Sequence, residues 1–362
     1  MGTESFPFVS IIIPCRNEEK FIGMCLDSII AQDYPKDKMD VLVIDGRSTD
    51  KTKEIIVKYI QKYPFIKLLD NPRKIAPTAF NIGVKKAKGD IIIRMDAHNV
   101  YNKEYVSKCI AYLKRNDVDN VGGVCITLPE NDTLIAKSIS LALSNPFGVG
   151  NAYFRIGSPK PKFVDTVPFG CYKREVFEKI GLFNEELVRN QDIEFNLRLR
   201  KAGGKILLAP DIVSYYHPRS TLTSLAKQNF LNGFWVIYST KFAHMPFSIR
   251  HLVPFIFVMS LGSSLLFSLF YHPFIYLFGF IIGLYFAVNV FFSFKIALKE
   301  GFKYFPALIL SFTTLHFSYG IGSVWGVIRL ILYKLVDVVK RKSFLRGDVF
   351  GAKLYRIFKK KQ

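Results

Sequence analysis

Acidic residues are scarce in this 362-residue chain: 29 Asp and Glu stand against 50 Lys and Arg, a formal net charge of +21. Such a surplus asks for an anionic partner, either a nucleic acid or a lipid surface. The marks of a nucleic-acid binder are missing, since no zinc-finger spacing, RNP pattern or heptad-linked basic region occurs, and no nucleic-acid partner is expected. Paired cysteines are missing too. Cys15, Cys25, Cys109, Cys125 and Cys171 are scattered singly with no CxxC, the pattern of reduced, buried thiols facing a cytosolic environment. The opening "MGTESFPFVS" has no basic n-region or apolar h-region, so a signal peptide is not expected there, and Phe6 stands where myristoylation wants Ser or Thr. The first apolar strand runs into "PCRNEE" and not into a GxGxxG loop, which sets aside a dinucleotide-dependent dehydrogenase.

Charge itself disappears from Leu252 to Phe294, 43 residues with no Asp, Glu, Lys or Arg. That is too long for one membrane span and suits two helices of ~20 residues, with His272 and Pro273 at the turn. A third apolar stretch runs from Tyr304 to Ile328. The loop between carries Lys295, Lys299 and Lys303 against Glu300. The positive-inside rule makes that loop cytoplasmic, so 252–294 enters and returns as a hairpin and the domain before it is cytoplasmic too. From Lys334 to Gln362 ten Lys and Arg face two Asp. If the third segment spans once, this basic tail lies outside, against the charge rule; if it lies in the interface or re-enters, the tail stays inside. The small and polar residues of "TTLHFSYGIGSVWG" favour the second. The expected organisation is a domain over 1–220, an interfacial linker over 221–250, membrane helices over 251–333 and a basic tail over 334–362, placing the protein in the cell membrane as a multi-pass protein.

Ahead of the membrane part, short β-rich runs at 8–13, 40–45, 65–70, 90–96 and 120–126 alternate with helix-like stretches at 18–31, 51–62 and 76–88. Near-continuous apolar strands of this kind predict an α/β domain with a mostly parallel sheet covered on both faces. Polar residues sit at the carboxyl ends of these strands, where open α/β sheets place ligands. Asp45 ends one such run, followed by Gly46 at a sharp turn. Asp96 and His98 end another, on the same side of an extended chain because side chains alternate with period two. Asp192 and Glu194 open an amphipathic helix over 192–202.

The motifs "PCRNEEKFIGMCLDSI", "VIDGRSTDKT", "RMDAHN", "VDTVPFGCYKREVF", "NQDIEFNLRLRKAGG" and "QNFLNGFW" follow one another in an order that resembles the family 2 glycosyltransferases. "DAH", "FGVGNAYFR" and "VDTV" together look like the branch of the succinoglycan-type exopolysaccharide glucosyltransferases. The resemblance covers about residues 8–240. It implies a GT-A nucleotide-sugar domain followed by membrane helices, and an inverting transfer from a nucleotide sugar, UDP-linked by default, to a lipid-linked saccharide. The short hairpin and basic tail would then hold the active site against membrane lipids.

By that resemblance Pro14, Arg16, Glu18, Asp45, Asn81 and Asp96 contact the nucleotide sugar. Glu18 reads equally as a favourable charge at a helix N-terminus, and Asp50 as a helix cap. Asp96 and His98 replace the usual Asp-x-Asp that holds Mg²⁺ or Mn²⁺, and imidazole tilts the expectation to Mn²⁺. His217 is a further metal or diphosphate candidate, or a structural group. Asp192 is the candidate base that deprotonates the acceptor hydroxyl; one carboxylate suffices for inversion. Family members often read Glu-Asp where this chain reads Gln191-Asp192. Asp165, Thr166, Gln191, Gln228 and Trp235 fall on the acceptor side, and the glycines of 147–155 would let an acceptor sugar approach the backbone. Arg73 and Lys74 precede a helix that could meet phosphate, or are surface charges. Two other readings stand beside this one: a processive synthase, which two or three helices serve poorly as a conduit, and a non-catalytic membrane scaffold, which should have lost Asp96 or Asp192.

Overall fold

The computed structural model describes residues 6–241 and 248–346, with side chains as far as 335. Most of the basic tail, residues 347–362, lies outside the described residues. In chain order the first part runs β1 (Val9–Cys15), α1 (Ile22–Ile30), β2 (Met39–Asp45), α2 (Thr52–Lys62), β3 (Ile66–Asp70), α3 (Ala76–Lys86), β4 (Ile91–Arg94), β5 (Asn99–Tyr101), α4 (Tyr105–Arg115) and β6 (Asn120–Thr127). Three short helices follow, α5 (Leu134–Leu143), α6 (Pro146–Val149) and α7 (Tyr153–Ile156), then β7 (Lys162–Phe163), β8 (Cys171–Lys173), α8 (Glu175–Ile180), α9 (Gln191–Lys201) and β9 (Ile206–Tyr216). The rest is helical: α10 (Leu222–Tyr238), α11 (Ile249–Ser268), α12 (Phe274–Glu300) and α13 (Phe305–Arg346).

The strands form one sheet in the order β3-β2-β1-β4-β8-β6-β9-β5, with β7 also on β9. The pairs β3–β2, β2–β1, β1–β4 and β6–β9 are parallel; β8 runs antiparallel to both β4 and β6. The parallel α/β expectation holds, with reversed strands inserted. Alternation along β1 explains why its sequence is apolar throughout. Ile11 and Ile13 enter one core with Val41, Val43 and residues of α1 and α4, while Ile12 enters the other with Leu42, Ile44 and residues of α3 and α9. Strands covered on both faces have no polar side to show. Where β6 crosses β9 the register shifts between Gly123 and Val124, and a Cβ on Gly123 would lie 1.9 Å from the Ile212 carbonyl oxygen. The bulge therefore needs the paired glycines of "NVGGVCI". All five cysteines are free thiols and buried.

By contact the chain divides into one unit of Met1–Leu225 with Val288–Phe312, and a second of Ala226–Ala287 with Thr313–Gln362. Within the first, the end of α12 and the start of α13 form an elbow against α5 and α6. Phe147 stacks on Phe292 at 5.0 Å between centroids and meets Phe312 edge-on at 4.9 Å. A Cβ on Gly148 would lie 2.1 Å from the Ala142 carbonyl oxygen and 3.2 Å from the Phe312 ring. This glycine thus serves packing of the elbow, where sequence reasoning gave it to an acceptor sugar.

Within the second unit, the small residues of the third apolar stretch mark a close helix crossing. A Cβ on Gly322 would lie 2.0 Å from the Phe230 carbonyl oxygen, one on Gly233 would lie 2.0 Å from that of Tyr319, and Ser323 Oγ donates to the Gly233 carbonyl at 3.2 Å. α13 is one unbroken helix of 42 residues over this stretch. Among the described residues three helices are long and apolar enough to cross a membrane, Ile249–Ser268, Phe274–Glu300 and Phe302–Leu335.

Candidate active site

The carboxyl ends of β1, β2 and β4 lie side by side, and the polar residues predicted for the site follow them. Asp45 closes β2 opposite Cys15 in β1. Its buried carboxylate accepts the Ser48 N–H at 3.2 Å on each oxygen and the Ser48 hydroxyl at 2.5 Å. Asn17 locks the adjoining turn, donating its N–H to Ser48 Oγ and accepting that of Thr49. Arg16 lies over Gly46, and Pro14 pairs with Ile44. Asp50 accepts from the backbone N–H groups of Thr52 and Glu19. Burial works against its charge, but those bonds outweigh it and hold the carboxyl below its ordinary range. Asp50 thereby braces the start of α2, the capping alternative.

Past β4, Asp96 turns back onto Arg94, whose Nε donates to its carboxylate at 3.2 Å. The Arg94 guanidinium lies 4.5 Å from the Phe80 ring centroid, and its side chain is only 12% exposed. Burial opposes its charge, yet Asp96 first and Asp192 second hold its pKa above the usual arginine value. One arginine thus answers the charges of both the candidate metal ligand and the candidate base. Sequence reasoning did not assign it. The available signal was a cation closing the apolar run "IIIR" two residues before Asp96, which an extended chain turns to the same side.

His98 Nδ1 lies 3.4 Å from Glu18 Oε1. Burial lowers the imidazole pKa and Arg219 lowers it further, but the Glu18 bond and the Asp96 charge prevail and raise it above the ordinary value. With Nδ1 directed at a carboxylate, Nε2 is the nitrogen left for a ligand, the arrangement that orients metal-binding histidines. Among the described residues no group of three or more His, Cys, Asp and Glu side chains gathers around one point. His217 stacks against Phe21 at 6.3 Å, beside the chain that enters α1.

Asp192 sits in the first turn of α9, half-buried, while Glu194 is buried and forked by Arg198 at 2.6 and 3.1 Å. Of the two acids opening this helix, Glu194 is committed to structure. Gln191 is buried at its first position. Thr166 is buried in a chain in which Asn120 donates to Asn196 and Asn196 donates to Thr166 at 2.8 Å; Asp165, its neighbour, is half-buried. Asn81 is buried and fastens residues 183–185 to α3, donating to the Phe183 carbonyl and to Glu185, and accepting the Phe183 N–H. Arg73 pairs with the same Glu185 at 2.6 Å. Gln228 and Trp235 lie on α10 in the second unit, Trp235 with its ring edge-on to Phe234 and Tyr238.

Residues 10–181 match the profile of glycosyl transferase family 2. Over 267 residues the chain is 33% identical to the dolichyl N-acetyl-α-D-glucosaminyl phosphate 3-β-D-2,3-diacetamido-2,3-dideoxy-β-D-glucuronosyltransferase of Methanococcus voltae, an alignment covering 72% of this chain and 81% of that one. The chain belongs to glycosyl transferase family 2. This transferase is also 29% identical over 225 residues to the succinoglycan biosynthesis protein ExoA of Rhizobium meliloti, covering 62% of its own length and 67% of ExoA. In fold it is similar to the mannosyltransferase PcManGT of Pyrobaculum calidifontis, solved with GDP-Man and Mn²⁺, at a TM-score of 0.56 and 18% identity over 89% of this chain and 88% of that one. The enzyme is a glycosyltransferase with a GT-A-like α/β domain and, among the described residues, three long apolar helices.

Proposed function

We propose that the enzyme moves a sugar, with inversion, from a UDP-linked donor to a saccharide carried on a lipid phosphate at the cytoplasmic face of the cell membrane. The observation that supports this reading is that Asp45, the Glu18–His98 pair and the Arg94–Asp96 pair follow the carboxyl ends of the parallel strands β1, β2 and β4, with the charge of Asp192 felt at Arg94. Asp45, Arg16 and the turn around Asn17 would bind base and ribose. Asp96 and His98 would hold Mn²⁺ or Mg²⁺, which supplies stabilisation of the charge that develops on the diphosphate as it leaves. Arg94 pairs with Asp96 and answers the charge of Asp192. Asp192 accepts the proton of the acceptor hydroxyl while that oxygen bonds to the anomeric carbon and the carbon–phosphate oxygen bond breaks. Asp165, Thr166, Gln191, Gln228 and Trp235 remain acceptor-side assignments, with Thr166 and Gln191 acting from buried positions.

Two features support the acceptor and the side. The Methanococcus relative carries a dolichyl phosphate saccharide in its name. The elbow of α12 and α13, which bears Lys295, Lys299 and Lys303, packs within the catalytic unit, so the positive loop and the active site share a side.

The test is nucleoside diphosphate release by the full chain in lipid, with a panel of nucleotide sugars, Mn²⁺ with and without EDTA, and a polyprenyl diphosphate sugar as acceptor. Release that needs metal and acceptor, and is lost in Asp96→Ala and Asp192→Asn, is expected. Release that persists in Asp192→Asn moves the base to Asp165. Absence of release with every donor leaves a membrane scaffold, and a ladder of long products a processive synthase.

A further inference from the structure

At the end of β4 the sheet stops supplying backbone partners just where Asp96 stands. Met95 still donates its N–H to the Ile12 carbonyl of β1 at 3.0 Å. One residue on, the Asp96 N–H donates to a side chain instead, the Tyr101 hydroxyl, at 2.7 Å. That hydroxyl also reaches the Asp96 carbonyl at 3.4 Å, to which the Asn99 N–H donates at 3.2 Å and the Cys25 thiol at 3.6 Å. A backbone donor that leaves a sheet for a half-buried turn needs such a partner. Here it comes from the end of β5, five residues along the chain.

The tyrosine is itself held from three sides. Its N–H donates to Ser28 Oγ of α1 at 3.2 Å, and its buried ring stands edge-on to Tyr105 at 5.1 Å and to Phe169 at 5.6 Å. Phe169 is a bulky residue at φ +49°, a conformation that persists only where the surroundings over-determine it. The Tyr105 hydroxyl fastens it by donating to its carbonyl at 2.8 Å, and the neighbouring Gly170 carbonyl accepts the Arg94 N–H at 3.0 Å. Residues 169 and 170 thus brace both groups that grip Asp96. One is the ring of Tyr101, whose hydroxyl takes the N–H; the other is the backbone of Arg94, whose side chain takes the carboxylate. Packing alone asks for no hydroxyl at 101, since phenylalanine fills the same space. The bonds this hydroxyl makes run to Asp96.

We propose that Tyr101 is a positioning residue whose hydroxyl fixes the backbone of Asp96, so that the carboxylate meets a divalent ion in the geometry the ion requires. The inference rests on the metal role proposed above for Asp96. A ligand just past the end of a strand swings with its turn unless the turn is tied down, and a displaced ligand loses affinity. Tyr101 ties the N–H, Asn99 closes the turn at the carbonyl, and Arg94 holds the carboxylate.

The test is Mn²⁺ binding by the full chain in lipid with UDP present, followed by the electron spin resonance of free Mn²⁺, together with the melting of each variant. Tyr101→Phe keeps the ring and removes the hydroxyl. Tyr105→Phe removes an equally buried hydroxyl of the same cluster but leaves the Asp96 N–H its partner. Both should melt at a lower temperature. Tyr101→Phe alone should lose Mn²⁺ affinity, by about tenfold, and about tenfold more Mn²⁺ should restore its UDP binding. If Tyr101→Phe fails to fold, Ser28→Ala takes its place: it withdraws the acceptor of the Tyr101 N–H, leaves the hydroxyl, and should lose about threefold. Unchanged Mn²⁺ affinity in the variant that folds, or an equal loss in Tyr105→Phe, makes Tyr101 a core residue only and overturns the proposal. A wild type that binds no Mn²⁺, or an Asp96→Ala variant that binds it as the wild type does, refutes the metal assignment of Asp96 itself, a result distinct from either.

Discussion

Replacing Arg198 by alanine releases the helix that carries Asp192. The arginine forks onto Glu194 and donates to the carbonyls of Leu182, at 2.7 Å, and Ile180. Glu194 is 5% exposed and Arg198 30%, so truncation strands a buried carboxylate and two carbonyls. Removing one partner of a buried pair costs about 3–5 kcal/mol. In a unit of this size each kcal/mol moves the midpoint by roughly 2–4 °C, so the apparent melting temperature should fall by about 6–20 °C. Intrinsic fluorescence in detergent at one fixed heating rate is the assay, because irreversible melting depends on the rate. The Glu194→Met, Arg198→Met double variant leaves no lone charge and should regain most of the loss. A fall under about 2 °C in the single variant, or a double variant as weak as both singles added, would falsify the clamp.

Glu18→Gln should weaken Mn²⁺ binding by about 10–100-fold, followed by the electron spin resonance of free Mn²⁺; unchanged affinity would remove Glu18 as the group that orients His98. Hydrogen bonding from Asn81, ahead of the Arg73 charge, holds the Glu185 carboxyl below its ordinary range although burial opposes it. The stability this gives is present above the unfolded glutamate pKa of about 4.3 and disappears as pH falls through the lower folded value. Asn81→Ala should therefore move the acid-side decline in melting temperature to higher pH, and an unmoved decline would show that Glu185 is held by something else. Gly148→Ala forces a Cβ against the Ala142 carbonyl and should cost about 1–3 kcal/mol, measured by the same melts. Gly157→Ala, where nothing lies within 4 Å and only a φ of +83° resists, should cost less; the reverse order would refute the packing role.

The strands and first helices were legible because each carries its own period: β1 and β2 are apolar at every position since both faces are covered, and the chain must turn where Asp45 and Asp96 stand. Asp96 and His98 stood out as polar residues just past an apolar strand, and Asp192 as an acid in the first turn of an amphipathic helix. Asn81 and Thr166 were not separable from ligand contacts, because their hydrogen bonds run to residues 102 and 30 positions away. Local sequence cannot report such partners. The small residues of α13 were visible, but that Gly322 meets the Phe230 carbonyl of α10 was not.

Because the elbow at 288–312 belongs to the catalytic unit, that unit cannot be completed in the order in which it is made. A ribosome delivers 1–225 first, then α11 and most of α12, and only afterwards Phe292 and Phe312 to cover Phe147 and Gly148. Until then the apolar face of α5 and α6 stays open. The sheet can assemble early; the surface that α5 and α6 offer closes only once Phe312 has been made. A fragment cut after residue 225 would keep the strands and the acids of the site yet carry that uncovered face into solution. Soluble versions of this enzyme therefore call for grafting the elbow back on, not for a shorter chain.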